Sequence, residues 1–274
     1  MMNFKLCAFA DEADKSLDGQ IKALVENNIH LLEIRGVDGE NISEISLEKA
    51  KEVRCKLDEN GISVWSLGSP FGKIKITDDF EKHLGSFKYG IEKAYILGAK
   101  NIRMFSFFVP KEEVDACFDR VMERLDKFCI AAKGSGVLLC HENEKGIFGD
   151  TADRCRLIYE TFSEIKAVFD PANFIQCDEN TTAAWEKLSG YVEYMHIKDA
   201  LEDGKVVPAG KGIGNIEWLI SKYRGEVLTL EPHLSVFKGL EKLEADGKTN
   251  IDKYQYPSQR AAFDAAVSAL KNIM

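Results

Sequence analysis

The stretch YVEYMHIK, residues 191–198, is a short run of mostly apolar side chains that ends near a histidine and a lysine. In an extended strand Tyr194, His196 and Lys198 point to one face, and the residues between them point to the other. Seven further runs resemble it in length and apolar content. In chain order the eight runs are Phe4–Phe9, His30–Arg35, Ile62–Leu67, Asn101–Phe107, Val137–Glu142, Ile165–Asp170, Tyr191–Lys198 and Val227–Glu231. The pattern predicts eight short buried strands.

Amphipathic segments separate these runs. Leu17, Ile21, Leu24 and Val25 recur at helical spacing and form one apolar face. The eight runs begin at intervals of about 26 to 39 residues, which is the length of one strand–helix unit. The sequence therefore predicts eight successive βα units.

Residues that begin and end helices agree with this division. Ser46 precedes a helical pattern that includes Val53, and Asn60-Gly61 follows it. Asp150-Thr151 precedes a second helical pattern that extends through Ile158. Serine, threonine and aspartate accept hydrogen bonds from the first free N–H groups of a helix, so these positions predict helix starts.

Eight βα units can form a closed parallel barrel or an open doubly wound sheet. A doubly wound sheet usually carries a glycine-rich turn after its first strand, whereas this chain continues with Ala-Asp-Glu-Ala at residues 10–13. We therefore predict an α/β fold, a (β/α)8 TIM barrel, as a single domain over residues 1–274. The eighth unit would end with a helix at about Pro257–Asn272, after an insertion at Leu234–Tyr256.

Charge and composition argue against several classes of partner. The net charge is −9, which disfavours binding to a nucleic-acid backbone. The chain contains no run of 18 apolar residues, so no membrane span is predicted. The N-terminal apolar stretch is too short for a secretion signal. The seven cysteines form no paired spacing, which favours free thiols in a reducing compartment. We expect a cytoplasmic protein.

Four successive predicted strands end in a side chain that can bind a metal. These are Glu142, Asp170, His196 and Glu231. The carboxyl ends of all strands in such a barrel open on one face, so the four side chains should meet there. Three carboxylates and one imidazole suit one divalent ion, Mn²⁺ or Mg²⁺ first and Co²⁺ or Zn²⁺ next. The alternative is that each is a helix cap, a solvated loop residue or a hydrogen-bonded core histidine.

Several basic residues could contact a substrate in the mouth of the barrel. Lys198 shares the direction of His196 and could face a developing negative charge, or it could pair with a carboxylate such as Asp199 or Glu33. Arg35 and Arg103 lie inside the second and fourth strands, where they could recognise a phosphate or carboxylate or form buried ion pairs. Lys211 lies in a glycine-flanked loop, where substrate contact and plain exposure are both open.

The segments around these residues resemble the sugar phosphate isomerase/epimerase family, whose members are xylose isomerase-like barrels. The resemblance covers essentially the whole chain. It is carried by HENEKGIFGDT (141–151), FDPANF (169–174), MHIKDA (195–200), VVPAGKGIGNIEW (206–218) and LEPHL (230–234). The family includes ketose 3-epimerases, hydroxypyruvate isomerases and inosose dehydratases.

The resemblance implies particular roles for residues of this chain. Glu142, Asp170, His196 and Glu231 would bind the metal, and the two glutamates would also be the acid and base that move a proton of the substrate. Asn173 stands where many ketose epimerases of the group carry histidine; an asparagine can bind a substrate hydroxyl but cannot accept a proton. The substrate would be a small sugar or polyol, and the protein would form a dimer or tetramer.

We therefore expect an isomerase or epimerase of a small ketose, sugar phosphate or related polyol. The alternative is a dehydratase of the inosose or dehydroshikimate type, which also begins by removing an α-proton. Abasic-site endonucleases resemble this barrel but need more histidine ligands than the five histidines here supply. A sugar-binding protein without activity is a further alternative, although all four ligand positions are intact.

Overall fold

The computed structural model describes residues 4–235 and 256–274. Eight parallel strands close into one barrel, in which each strand pairs with its neighbours in the chain and the first pairs with the last. The strands are β1 Lys5–Ala8, β2 Leu31–Ile34, β3 Ser63–Gly68, β4 Asn101–Met104, β5 Leu138–Glu142, β6 Ile165–Phe169, β7 Val192–Ile197 and β8 Val227–Leu230. Each lies within or one residue beyond one of the eight predicted runs, which confirms the (β/α)8 barrel.

Helices surround the strands. Within the described residues they are α1 Leu17–Glu26, α2 Leu47–Glu59, α3 Phe80–Leu97, α4 Val114–Ala132, α5 Ala152–Thr161, α6 Pro171–Ile175, α7 Thr181–Leu188, α8 Ile216–Lys222 and α9 Gln259–Ile273. Ser46 and Thr151 cap α2 and α5 by accepting hydrogen bonds from backbone N–H groups, as the sequence predicted. The last helix begins two residues after the predicted Pro257 because Ser258 is its cap. Residues 236–255 of the predicted insertion lie outside the described residues.

The alternation of side chains along each strand divides the core in two. In β8, Leu228 and Leu230 face the helices and belong to the main apolar core. Val227 faces the barrel interior, where it packs with Tyr194, Cys7 and other interior residues. The interior is therefore filled with side chains and is not a pore. The C-terminal ends of the strands form its mouth.

Two small antiparallel hairpins stand at this mouth, and neither was predicted from the sequence. Gly36–Val37 pairs with Glu40–Asn41 after β2, and Asp199–Ala200 pairs with Val206–Val207 after β7. Among the helices of the described ranges, none combines the length and apolar character that crossing a membrane requires. The seven cysteines are free thiols.

Candidate metal centre

Four side chains from the ends of β5 to β8 meet at the mouth of the barrel. Each of Glu142, Asp170, His196 and Glu231 offers a nitrogen or oxygen atom, and these four atoms lie within 4.8 Å of one another. All four residues are buried. The barrel places them together because parallel strands of similar length end at one level. The structure thus joins the four residues that the sequence proposed as one ligand set.

His196 stands at the centre of this cluster. Its Nδ1 lies 3.1 Å from Glu142 Oε1 and 3.3 Å from Glu231 Oε2. Its Nε2 faces the opposite way and lies 3.1 Å from Glu33 Oε2. The Phe9 ring packs edge-on against the imidazole, with 5.2 Å between ring centroids. Only Nδ1 therefore faces the carboxylates of the cluster.

The two glutamates are held in the same manner. Each directs one oxygen at His196 and has its other oxygen bound by an arginine. Arg103 Nη1 donates to Glu142 Oε2 at 2.7 Å, and Arg35 Nη1 donates to Glu231 Oε1 at 3.0 Å. A guanidinium that holds the outer oxygen fixes the orientation of the carboxylate and favours its ionised form.

Both arginines thus bind carboxylates of the site. Arg35 also donates to Asp11 from Nε and Nη2 and to Glu12 from Nη2. This corresponds to the buried ion pair that the sequence left open as the alternative to substrate recognition. Contact of either arginine with a substrate stays a prediction.

Lys198 pairs with carboxylates other than those the sequence suggested. Its Nζ lies 2.8 Å from Asp170 Oδ2 and 3.1 Å from Glu231 Oε2. The suggested partners, Asp199 and Glu33, were wrong because both contact other groups. Glu33 lies behind the histidine, and Asp199 accepts hydrogen bonds from backbone N–H groups. Lys198 therefore lies within the candidate metal centre.

Two asparagines, Asn143 and Asn173, form hydrogen bonds with residues of the cluster. Asn173 Nδ2 donates to Glu142 Oε1 at 3.2 Å and to the backbone oxygen of Asn143 at 2.9 Å. Asp170 caps α6 by accepting from the Asn173 N–H, and its own N–H donates to Asn143 Oδ1. Asn173 thus lies beside a proposed ligand, and its contact with a substrate stays a prediction.

Burial and mutual charge set the protonation of the cluster. Burial raises the pKa of Glu142, but the charges of His196 and Arg103 outweigh it and hold the pKa below its ordinary value. For Glu231 the same opposition, with Lys198 as the strongest favourable charge, leaves the pKa well below its usual range. Burial raises the pKa of Asp170 to about 7, since Lys198 only partly offsets burial and the two glutamates. Both glutamates are therefore ionised at neutral pH.

Lys211 is not joined to this cluster. Its side chain is exposed, and within residues 4–235 and 256–274 it makes no hydrogen bond or ion pair with the four clustered residues. Its loop is anchored instead by Asp199, which accepts from the N–H groups of Gly210, Gly212 and Gly214, each at 2.9 Å. A substrate contact by Lys211 stays a prediction.

The sequence reading missed the contribution of the loop after β1. Glu12 is buried, contacts Arg35 and accepts from the His233 N–H at 2.6 Å. Burial raises the pKa of Glu12 to about 8 against the opposing charge of Arg35. The available signal was a pair of acidic residues, Asp11 and Glu12, directly after a predicted strand and hence at the mouth of the barrel.

His233 is a second residue that the sequence analysis left out of the site. It lies two residues after Glu231 and so has the same strand parity, and its Nε2 lies 3.5 Å from Glu231 Oε1 and 3.4 Å from Glu12 Oε1. The strand ends at Leu230, and His233 has a φ of 44°, so the alternation of a strand no longer applies to it. His141, by contrast, points away and contacts Ser106 and Tyr159.

The residues of the cluster fit a divalent metal. Asp170 Oδ2 is buried and accepts no hydrogen bond within the described residues; its contact with Lys198 is an ion pair without hydrogen-bond geometry. Lys198 pairs with two of the three buried carboxylates, and a divalent cation among their oxygens and His196 Nδ1 would offset the repulsion that is left. Oxygen and nitrogen donors of this kind suit Mg²⁺, Mn²⁺, Co²⁺ or Zn²⁺.

Comparison with solved structures shows the same fold at low sequence identity. D-psicose 3-epimerase with D-tagatose from Clostridium cellulolyticum H10 has a TM-score of 0.73 and 14% identity, with 98% of each chain covered. The probable 3-DHS dehydratase AsbF from Bacillus anthracis has a TM-score of 0.71 and 15% identity over 99% of each chain. The IolI protein with a bound zinc atom has a TM-score of 0.69 and 17% identity, covering 98% of this chain and 97% of the other.

These likenesses support the fold and not an individual activity, since the identities are low. No curated protein matches the sequence significantly. The family model described as xylose isomerase-like TIM barrel matches residues 21–233, which include all four clustered residues. This match covers more than half of the chain. The chain therefore belongs to the xylose isomerase-like TIM barrel family.

Proposed function

We propose that this protein is a divalent-metal-dependent isomerase or epimerase of a small ketose, sugar phosphate or related polyol. Glu142, Asp170, His196 and Glu231 hold the metal in this proposal. The observation that carries it is the arrangement of the two glutamates, each with one oxygen in the cluster and the other bound by an arginine. Similar structures include a ketose 3-epimerase and a protein with bound zinc, which supports the same assignment.

The chemistry requires a proton to leave a carbon beside a carbonyl. A divalent ion held by the cluster, Mn²⁺ or Mg²⁺ first among the candidates, would supply a Lewis acid that polarises the carbonyl and makes this proton more acidic. Glu142 and Glu231 are both ionised and fixed, so either can take the proton. The other glutamate can take up a proton from solvent or from a substrate hydroxyl, and its delivery of that proton to the opposite face of the same carbon gives an epimer. Return of the abstracted proton to the neighbouring carbon gives an isomer.

Other side chains of the site bind and orient the substrate. The Lys198 ammonium lies beside Asp170 and Glu231 and can stabilise negative charge that develops on a substrate oxygen. The Asn173 amide lies beside Glu142 and can bind a substrate hydroxyl. Burial of the cluster excludes water from the proton-transfer step and strengthens these interactions.

One observation favours a dehydratase as the second candidate. The Lys198 ammonium is within 3.1 Å of Glu231, where it can donate a proton to a departing hydroxyl group. Asn173 offers no base of its own on this side of the site. Loss of a β-hydroxyl would then follow removal of the same α-proton.

Solvent exchange tests the proposal. Protein loaded with manganese or magnesium is incubated in deuterated water with ketoses, inososes and their phosphates, and deuterium at the α-carbon is followed by NMR. Exchange with an isomeric product supports the isomerase or epimerase, whereas a new enone absorbance identifies the dehydratase. No exchange with any member of the panel in fully loaded protein contradicts both.

Variants of the two glutamates test the mechanism. Glu142→Gln and Glu231→Gln keep the size of the side chain but cannot carry a proton, so each should lower turnover by about 10² to 10⁴. Metal content is measured beside the rate because an amide is the weaker ligand. Glu144→Gln is the matched control, since Glu144 pairs with Lys73 outside the cluster. Parental turnover in either test variant at full metal occupancy would rule out the two-carboxylate mechanism.

A further inference from the structure

A carboxylate that belongs to none of the four proposed ligands lies behind the imidazole of His196. Glu33 projects from β2 into the barrel interior and is fully buried. Its Oε2 lies 3.1 Å from His196 Nε2, and its Oε1 accepts from the Tyr194 hydroxyl at 2.9 Å. Strand β2 is not adjacent to β7, so this contact crosses the inside of the barrel.

The carboxylate is itself held in place. Tyr194 packs against the His196 ring, with 5.6 Å between ring centroids, and its hydroxyl lies 3.2 Å from Ser66 Oγ. A chain of polar contacts thus runs from Ser66 through Tyr194 and Glu33 to His196. Both oxygens of Glu33 have fixed partners, and no solvent reaches them.

This arrangement decides which ring nitrogen of His196 keeps its proton when a metal binds. A neutral imidazole has one N–H group and one lone pair. A carboxylate can only accept, so Glu33 requires an N–H at Nε2. Nδ1 faces Glu142 and Glu231, which favour an N–H there in the metal-free protein; a cation that binds among these carboxylates takes the place of that proton, and the lone pair of the neutral ring is then at Nδ1. A carboxylate behind a metal-binding histidine fixes its tautomer and its orientation in just this sense.

We propose that Glu33 is a positioning residue that holds His196 in the Nε2–H form, so that Nδ1 is the nitrogen available to a divalent metal. The inference rests on the proposed metal site. Glu33 does not contact the metal or the substrate in this role. Its removal should weaken metal binding through His196 while the four proposed ligands remain present.

Zinc binding to Glu33→Gln tests this role. If the amide oxygen keeps the Tyr194 contact, the amide NH₂ faces Nε2 and favours the N–H at Nδ1, which opposes metal binding there. We expect zinc affinity, measured by competition with a chromophoric chelator, to fall by about 10- to 100-fold. Glu33→Ala removes the acceptor altogether and should have an effect in the same direction. Circular dichroism and thermal unfolding of the metal-free variants check that the fold is retained.

Two measurements separate positioning from loss of charge or structure. Glu144→Gln removes one nearby negative charge without touching His196, and its zinc affinity should change by less than about threefold, as for a partly exposed charge screened by solvent. The ¹⁵N spectrum of the zinc-loaded parent should show a protonated Nε2 for His196, and this signal should shift in Glu33→Gln.

The outcomes distinguish failure of the proposed metal site from failure of the proposed role of Glu33. A parent protein that binds no zinc at the four-residue cluster overturns both the metal site and this inference. A parent that binds zinc, with Glu33→Gln and Glu33→Ala of equal affinity and unchanged His196 signals, overturns the inference alone. Weaker binding in both variants with retained fold, and little change in Glu144→Gln, supports it.

Discussion

Asp170 combines a structural and a chemical role in one side chain. Its Oδ1 caps α6, and its Oδ2 lies in the cluster beside Lys198. Asp170→Asn should keep the cap, since asparagine caps helices as well as aspartate does. It removes a charge from a group whose pKa is raised by burial and by the neighbouring glutamates, so the metal-free fold should lose little.

Metal binding should respond quite differently to this change. Outer partners of metal ligands typically contribute 10- to 100-fold in affinity, so loss of a direct carboxylate ligand should cost at least about 100-fold. Metal analysis after dialysis and thermal unfolding of the metal-free protein check the two halves of the prediction. A variant that retains parental zinc affinity would remove Asp170 from the ligand set.

His83 lies outside the site, and its burial predicts that the free energy of unfolding depends on pH. Its Nε2 accepts the Gly72 N–H at 2.8 Å, and burial, aided by Arg124, lowers the pKa of His83 to about 4. The unfolded chain, with an ordinary histidine pKa of about 6.5, then binds more protons than the folded one between these values. This contribution to stability is therefore complete above pH 6.5 and is lost as the pH falls towards 4.

The expected loss from His83 is about 1 to 3 kcal/mol, because the group is only partly buried. Urea unfolding of metal-free protein at several pH values measures it. His83→Gln cannot take up a proton, so its stability should fall less over this interval than that of the parent. His30→Gln, at an exposed position, serves as the control. Equal pH dependence of the parent and His83→Gln would contradict the assignment.

At the scale of an element, one carboxylate organises the loop between β7 and α8. Asp199 accepts four backbone N–H groups, those of Ala200, Gly210, Gly212 and Gly214. A side chain at Gly212 would collide with the carbonyl oxygen of Ala200, so the backbone can approach this closely only at glycine. The loop that carries Lys211 thus depends on a single buried anion.

Asp199→Asn should loosen this loop without unfolding the barrel. Its NH₂ group would face backbone donors, and leaving such groups unsatisfied costs about 1 to 3 kcal/mol. Hydrogen exchange should therefore accelerate at residues 208–214, while the barrel strands keep their protection. Asp203→Asn, an exposed position in the same connection, should leave exchange in the loop as it is in the parent. Unchanged exchange in Asp199→Asn would show that the glycine backbone holds the loop by itself.

At the scale of the whole molecule, the proposed metal links the ends of four strands. A ligand that binds only the folded state stabilises it by about 2.7 kcal/mol at 100 times its dissociation constant. For a chain of 274 residues this corresponds to a rise in Tm of about 5 to 10 °C. Zinc or manganese should raise the Tm of the parent and of Glu144→Gln, but not that of Asp170→Asn. An equal rise in all three proteins would indicate binding elsewhere.

The sequence by itself determined the barrel fold and which strand-end side chains lie at its mouth. Alternation along each run fixed which side chains face inward, and helix caps such as Ser46 and Thr151 marked the units. Because all strands of a parallel barrel end on one face, Glu142, Asp170 and His196 could be grouped before their distances were known. Local periodicity is sufficient for these statements, since each depends on neighbours in the chain.

Only the tertiary structure decided which groups touch. Glu33 shares the strand parity of Arg35, but its contact with His196 spans strands that are not neighbours in the barrel. Lys198 was expected at other carboxylates, and His233 was not among the residues expected in the site. Strand periodicity predicts the face to which a side chain points, but not the residues that it contacts across the barrel. Contacts across the barrel depend instead on strand register, barrel diameter and the loops beyond the strand ends.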